Sequence, residues 1–224
     1  MGVKTILRWM AIAIGGLVLP DGTRIVAPDL RRVVLEYSIE ELERVIRHGI
    51  RPNGTSVLLP MPSSMFYHLS DGVLGAIIAF LKSEAPGDAQ LPGRNVGPLA
   101  RLFFFYYKRS LGTILAAEII DHATPRLNPT ILESADYGRY LAMTICSECH
   151  GDDLRGGLDE FAPSLAIVAA YSVEDFRKLM REGEAIGGRE LDLMAEVARG
   201  RSSYFTDSEI NSLHAYLKTL ASTE

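Results

Sequence analysis

YSIEELERVIRHG, at residues 37–49, returns as YSVEDFRKLMREG at residues 171–183, and this internal repeat decides the fold. The Tyr-Ser start and the closing Gly are identical, and most of the other positions are conservative replacements. Self-similarity at a fixed distance indicates that one structural unit occurs twice. The shift is 134 residues, so the chain of 224 residues is predicted to contain two related halves.

Two further matches extend the repeat. Residues 69–85, LSDGVLGAIIAFLKSEA, match residues 205–221, FTDSEINSLHAYLKTLA, and APDL at 27–30 matches APSL at 162–165. Apolar residues recur at three- and four-residue steps in the long segments, which predicts amphipathic helices and an all-α fold. Thr206 and Glu209 have the spacing of a capping box that starts the last helix. The predicted buried stripes are Leu74, Ile77, Ile78 and Leu81 in the first half, and Ile210, Leu213, Leu217 and Leu220 in the second.

The repeat divides the chain into an N-terminal segment at 1–21, a first helical lobe at 22–85, a connector at 86–133 and a second lobe at 134–224. Several prolines punctuate the connector, which predicts a long irregular segment. It contains the aromatic run LFFFYY at 102–107, closed by Lys108 and Arg109 and too short to span a bilayer. We expect these aromatics to pack between the two lobes; contact with a partner subunit or a lipid surface is the alternative.

The N-terminal segment has the order of a signal peptide. Lys4 and Arg8 precede an apolar run at residues 9–19, which is shorter than the ~20 residues of a membrane span. We therefore expect export to the periplasm or the outer face of the cytoplasmic membrane, with membrane association through this segment left open. A buried N-terminal helix is the alternative.

The chemistry of the chain is concentrated in CSECH, residues 146–150, which contains its only two cysteines. This C-x-x-C-H spacing is the attachment pattern for c-type haem. The thiols of Cys146 and Cys149 add across the vinyl groups on one edge of the porphyrin, and His150 then falls beneath the iron. We predict one covalent haem c.

Other uses of two close cysteines fit less well. A redox dithiol sits at a helix start after a strand, and no alternating strand pattern precedes Cys146. A structural zinc site needs four ligands, and no second Cys/His pair has suitable spacing. A chance match is uncommon for this five-residue pattern, and the residues downstream also fit haem attachment.

Those downstream residues carry a family resemblance. Residues 134–224 resemble a class I cytochrome c domain through Gly138, Tyr140, CSECHG, Gly156-Gly157, Pro163, a middle helix, a methionine and a last helix ending AYLKTLA. The resemblance implies that the Pro163 carbonyl accepts from the proximal His150, and that Met194 is the sixth iron ligand. Met143 and Met180 lie in predicted helices, where methionine more often fills a core. His214 is a rival ligand, but it lies off the apolar stripe and is predicted to be a solvated surface residue.

The first half resembles the back part of the same fold. Its segment MPSSMFYHLSD, residues 61–71, is similar to that of diheme cytochrome c subunits of membrane dehydrogenases, and Met61 matches Met194. Shifting CSECH back by 134 residues gives IAIGG at 12–16, which has no cysteine or histidine. We therefore expect haem in the second lobe only. Either the first lobe has lost its haem or the motif lies upstream of the given start; a non-covalent haem held by Met61 with His48 or His68 is less favoured.

Composition limits the remaining functions. Apolar residues make up 47% and charged residues 23% of the chain, which is typical of a globular protein, and the net charge of -5 argues against a nucleic-acid partner. We predict an electron carrier and not an enzyme in itself, relaying single electrons between redox partners such as a dehydrogenase, a quinol-oxidising complex or a terminal oxidase. A haem-based sensor and a structural subunit of an electron-transport assembly are the alternatives.

Overall fold

The computed structural model describes residues 17–18, 21–25, 27–58, 61–84, 95–110, 115–129, 131, 133–156 and 162–223. Helices dominate them, as the repeat predicts, and the strands are confined to two short antiparallel ribbons, β1–β2 and β3–β4. The strands are β1 Leu17–Val18, β2 Arg24–Ile25, β3 Glu184–Ala185 and β4 Arg189–Glu190. The α-helices are α1 Leu30–Glu36, α2 Ile39–His48, α3 Ser63–Tyr67, α4 Asp71–Ser83, α5 Pro98–Ser110, α6 Ala116–Ile119, α7 Ala135–Leu141, α8 Ser147–His150, α9 Val173–Glu182, α10 Asp192–Gly200 and α11 Asp207–Thr219.

The repeated segments fold into matching helices. Helices α2 and α9 each have ten residues, and a serine hydroxyl caps each start, from Ser38 and Ser172. Each ends at a glycine in the left-handed region, Gly49 at φ 64° and Gly183 at φ 78°, where a side chain would be strained. Helices α4 and α11 each have thirteen residues, and the predicted capping box of Thr206 is confirmed. The same start and stop signals therefore produce the same elements in both halves.

The described residues form two compact units. Unit 1 contains residues up to Tyr67 together with Asp71–Ala123, and unit 2 contains His68–Ser70 together with residues from Thr124 onward. In unit 1, α1, α2 and α4 enclose a small core of Val34, Leu42, Leu74 and Ile78. Leu81 packs against this core, but Ile77 is exposed, so its predicted place in the stripe is wrong. Ile77 lies at the edge of the face of α4 that packs against the core.

Unit 2 has the larger core. Ile210, Leu213 and Leu217 on α11 are at most 1% exposed, as the stripe predicts, and Leu220 packs beside them. Helix α11 lies against α7 at Gly138, where a built Cβ would overlap the carbonyl oxygen of Ser212. The glycine therefore allows the two helix backbones to approach closely.

The connector is less irregular than predicted. It contains the thirteen-residue helix α5, which begins at Pro98 because proline suits the first helical position and the Asp21 carboxylate accepts from the Leu99 and Ala100 amides at 3.0 and 3.2 Å. Phe103 and Phe105 of its aromatic run are 47% and 69% exposed, and the packing of this run between the two lobes stays a prediction. None of the described helices combines the length and apolar character that crossing a bilayer requires.

The predicted N-terminal apolar run at 9–19 lies outside the described residues except for β1. Leu17 and Val18 pair with Ile25 and Arg24 in an antiparallel ribbon.

Candidate functional site

The CSECH segment ends a long helical stretch of unit 2. Helix α7 runs into a π-helical turn at Ala142–Cys146, and α8 continues to His150. Two hydroxyls bond back to carbonyls four residues earlier: Thr144 Oγ1 to Tyr140 O at 2.8 Å, and Ser147 Oγ to Met143 O at 2.7 Å. Such π turns occur mostly as single insertions in helices, often at functional sites. Cys146, Cys149 and His150 therefore lie together at the end of one helical stretch.

The orientation of His150 is set by Pro163. His150 Nδ1 lies 2.8 Å from Pro163 O. A carbonyl oxygen only accepts, so Nδ1 carries the proton and Nε2 keeps a free lone pair. Burial lowers the pKa of His150, against the opposing effect of the Pro163 hydrogen bond. The imidazole is therefore neutral at pH 7 and can ligate a metal through Nε2.

A tight loop connects the helical end to Pro163. Gly151 has φ 83°, and a Cβ there would come within 2.8 Å of Gly156 O. The amide of Gly156 donates to His150 O at 3.0 Å. Leu154 is 1% exposed with a positive φ of 60°, and its carbonyl accepts from the Leu165 amide at 2.9 Å. The sequence reasoning missed Leu154, because nothing in its neighbours signals a left-handed leucine. Gly157, the second glycine of the predicted pair, lies outside the described residues.

The cysteines have the character of protected thiols. Neither cysteine forms a disulfide, and both are partly buried. Burial, and then the neighbouring Cys149, raise the pKa of Cys146 to about 12, and burial also raises the pKa of Cys149. Dithiols that exchange disulfides need a lowered thiol pKa, so this pair is unsuited to that chemistry. Across the described residues, no group of three or more His, Cys, Asp or Glu side chains is arranged to hold a metal ion.

Met194 lies in the first turn of α10, and it packs against the same core cluster as Cys146. Met180 is buried in that core, and Met143 packs against it. The prediction of a solvated His214 is wrong: the side chain is buried, and its Nε2 lies 3.0 Å from Tyr171 O. Since His214 is four residues after Ile210 and three before Leu217, it lies at the edge of the buried stripe.

The start of α10 is positioned by Gly183. A Cβ on this glycine would overlap Ala195 Cα and come within 2.5 Å of Ala195 Cβ, directly beside Met194. We expect Gly183→Ala to displace α10 and to destabilise unit 2 by about 2 kcal/mol or more, from overpacking and the left-handed φ together. Chemical denaturation measures this loss.

Gly187→Ala is the matched control, because Gly187 also has a positive φ of 85° but has no atom within 4 Å of a built Cβ. It should cost only the backbone strain of about 1 kcal/mol. Equal losses in the two variants would show that the contact with Ala195 contributes nothing.

The candidate ligands of the first half are in other surroundings. Met61 is partly buried in unit 1, and its amide donates to Leu58 O at 3.1 Å. His48 stacks on His122 with ring centroids 5.3 Å apart, and Tyr67 packs edge-on against both. His68 belongs to unit 2, where its Nδ1 accepts from the Leu127 amide at 3.4 Å and burial lowers its pKa.

Comparison with known proteins identifies two similar curated proteins. The chain is 24% identical over 217 residues to the cytochrome subunit of fructose dehydrogenase from Gluconobacter japonicus. It is 24% identical over 232 residues to the cytochrome c subunit of the quinone alcohol dehydrogenase from Gluconobacter oxydans. Each match covers 87% of this chain but 43% and 46% of the relatives, so the chain spans less than half of their length. No family model matches. Both relatives are named as cytochrome subunits of dehydrogenases.

Proposed function

We propose that this chain is an electron carrier that relays single electrons through one covalent haem c, ligated by His150 and Met194, as a subunit of a dehydrogenase complex. The observation that carries the proposal is the end of the CSECH helix. There, two thiols and an imidazole with a free Nε2 lone pair lie on one helical segment, and the imidazole is oriented by Pro163 O at 2.8 Å.

The residues present fit a c-type haem. Each thiol, at Cys146 and Cys149, adds its S–H across one vinyl double bond, so that a thioether replaces the double bond and no redox partner is consumed. The raised pKa of both thiols keeps them protonated until attachment, which protects them from disulfide exchange. When bound, the haem supplies an iron that changes by one electron.

The chain's own groups then tune that iron. The hydrogen bond from His150 to Pro163 fixes the plane of the ring and makes Nε2 a stronger donor. A thioether from Met194 favours the ferrous state and raises the reduction potential relative to a second imidazole. His150 and Met194 would together hold the iron, which would then supply one-electron chemistry.

The partners of this carrier follow from its relatives. Both are named as cytochrome subunits of dehydrogenases, so we propose a dehydrogenase as the electron donor and a quinol-oxidising complex or terminal oxidase as further partners. Covalent haem attachment takes place outside the cytoplasm, which agrees with the signal-like N-terminal sequence and puts the chain in the periplasm or on the outer face of the cytoplasmic membrane. Among residues 1–224 the only two cysteines lie in the second lobe, so the proposal assigns haem to that lobe.

The identity of the sixth ligand is tested by Met194→Ala. We expect the reduction potential to fall by about 0.1 V or more, within the roughly 0.8 V range over which axial ligands act. The ferrous protein should also bind carbon monoxide rapidly, which the unaltered protein should not. Redox titration and visible absorbance with carbon monoxide measure the two effects.

Met61→Ala is the matched control, because Met61 holds the corresponding place in the first half. It should leave the potential and the carbon monoxide response unchanged. Rapid carbon monoxide binding by the unaltered protein at neutral pH would favour a ligand-binding sensor instead, and a change on Met61→Ala would point to a second haem.

A further inference from the structure

Helix α11 carries a buried histidine where the first half of the chain carries an apolar residue. The shift of 136 residues between the halves aligns His214 with Ile78, and the two side chains are buried in their own units, at 9% and 5% exposed. A buried imidazole costs free energy unless its ring nitrogens form hydrogen bonds, whereas isoleucine has no such need. Packing alone therefore does not require a histidine at position 214.

The ring of His214 binds one backbone carbonyl. Its Nε2 lies 3.0 Å from Tyr171 O, and since a carbonyl oxygen only accepts, Nε2 carries a proton and donates it. The ring also packs against Phe176, which is 2% exposed, with the two ring centroids 5.3 Å apart. This hydrogen bond is therefore shielded from water, where its electrostatic strength is greater than at the surface.

Tyr171 is one end of a segment at residues 163–171, which we call the proline strap. At its other end Pro163 O binds His150 Nδ1 at 2.8 Å, while Tyr171 O binds His214 Nε2. Each end of the proline strap is therefore held by a histidine ring, and one of these rings is the predicted iron ligand.

The interior of the proline strap is a short helix. Ser164 Oγ accepts from the Ala166 amide at 3.2 Å and caps a 3₁₀ helix at Leu165–Ala170. At about 2 Å per residue, this helix extends over roughly 12 Å. Val168 within it is 2% exposed, so the helix is packed into the core of unit 2. A displacement of one end of the proline strap is therefore carried to the other end.

The proline strap is also attached close to Pro163. The Leu165 amide donates to Leu154 O at 2.9 Å. A stiff segment that is attached at one point can rotate about that point, and a second attachment far from it fixes the angle. Tyr171 provides this second attachment at the distant end.

We propose that His214 is a positioning residue of the haem site, which holds Tyr171 O and thereby keeps Pro163 O against His150 Nδ1. The inference rests on the proposed function, because it gives His214 an effect on an iron ligand. The hydrogen bond to Pro163 makes His150 a stronger donor, and a stronger donor stabilises ferric iron. Loss of the His214 contact is therefore expected to weaken that hydrogen bond and to raise the reduction potential.

The test is His214→Ile in the haem-loaded chain, which introduces the residue that the first half has at this position. We expect the reduction potential to rise. Solvent exchange of the His150 Nδ1 proton, followed by NMR, should become faster by about fivefold or more, the factor that corresponds to the net strength of one hydrogen bond. His214→Gln should retain both values of the unaltered chain, because its side-chain amide can donate to Tyr171 O.

Ser202→Ala is the matched control. Ser202 is 2% exposed, and its Oγ donates to Met180 O at 2.7 Å. This variant therefore also loses one buried hydrogen bond to a carbonyl of unit 2, but that carbonyl lies outside the proline strap. It should lower the free energy of unfolding by a similar amount and leave the reduction potential and the proton exchange unchanged.

The outcomes separate this inference from the proposed function. If the reduction potential or the proton exchange stayed unchanged in His214→Ile, or changed equally in Ser202→Ala, the positioning role of His214 would be overturned. An unaltered chain without covalent haem would refute the proposed function instead. Exchange of the His150 proton does not require haem, so an equal rate in that chain and in its His214→Ile variant would also overturn the inference.

Discussion

Cys146→Ser/Cys149→Ser is expected to yield a chain with no covalently bound haem, a fall from one per chain to none. A serine hydroxyl does not add across a porphyrin vinyl group, so both thioether bonds are lost together. His150 and Met194 would then hold any haem only by coordination, from which it could dissociate. Haem staining after denaturing electrophoresis and acid–acetone extraction measure this directly, because only covalently attached haem stays with the polypeptide.

The matched control is Glu148→Gln, inside the same motif. Glu148 is exposed and pairs with Arg201 at 3.5 Å, an ion pair of the kind that contributes little to stability. This variant keeps both thiols and His150, so it should attach haem as the unaltered chain does. Haem that stayed with the doubly substituted chain through extraction would mean that the CSECH thiols are not its attachment points.

Gly138→Ala is expected to destabilise unit 2 strongly. An added Cβ would overlap Ser212 O and approach Tyr216 Cβ to 2.8 Å, and the first of these is backbone, which no rotamer change can move aside. Helices α7 and α11 must then separate, which loosens the core around Ile210 and Leu213. We expect a loss of at least about 2 kcal/mol, after allowing for the ~1 kcal/mol that alanine gains over glycine within a helix.

Gly200→Ala gives the comparison within the same unit. Gly200 is the last residue of α10, and a Cβ there has no atom within 4 Å, so the change should stay within about 1 kcal/mol. Denaturant unfolding followed by helical circular dichroism measures both variants. If Gly138→Ala were as stable as Gly200→Ala, the close crossing of α7 and α11 would not be a feature of the folded protein.

Much of the helical framework could be predicted from the sequence because its signals are local. Ser38 and Ser172, with Gly49 and Gly183, mark the two ends of the repeated helix, and Thr206 with Glu209 marks the start of the last one. Side-chain oxygens at a helix start and a glycine at its end act within a few residues, so their effect can be read without knowledge of the fold. The CSECH spacing is local in the same way.

The features that were missed depend on contacts distant in sequence. The buried position of His214 follows from its approach to Tyr171 O, forty-three residues earlier. The start of α5 depends on a carboxylate at Asp21, seventy-eight residues before Leu99. The π turn at Ala142–Cys146 and the left-handed Leu154 carry no turn residue that would indicate them in the sequence. The prolines of the connector indicated breaks correctly, but they gave no sign of the helix α5 that lies between them.

Covalent attachment of one haem is tested most directly by the intact mass of the chain, purified from a host that matures c-type cytochromes. After the N-terminus has been located by sequencing, the measured mass should exceed the calculated polypeptide mass by the mass of one haem. A mass equal to the bare polypeptide, from a colourless preparation, would contradict the account, and an excess of two haems would contradict the assignment of haem to the second lobe alone.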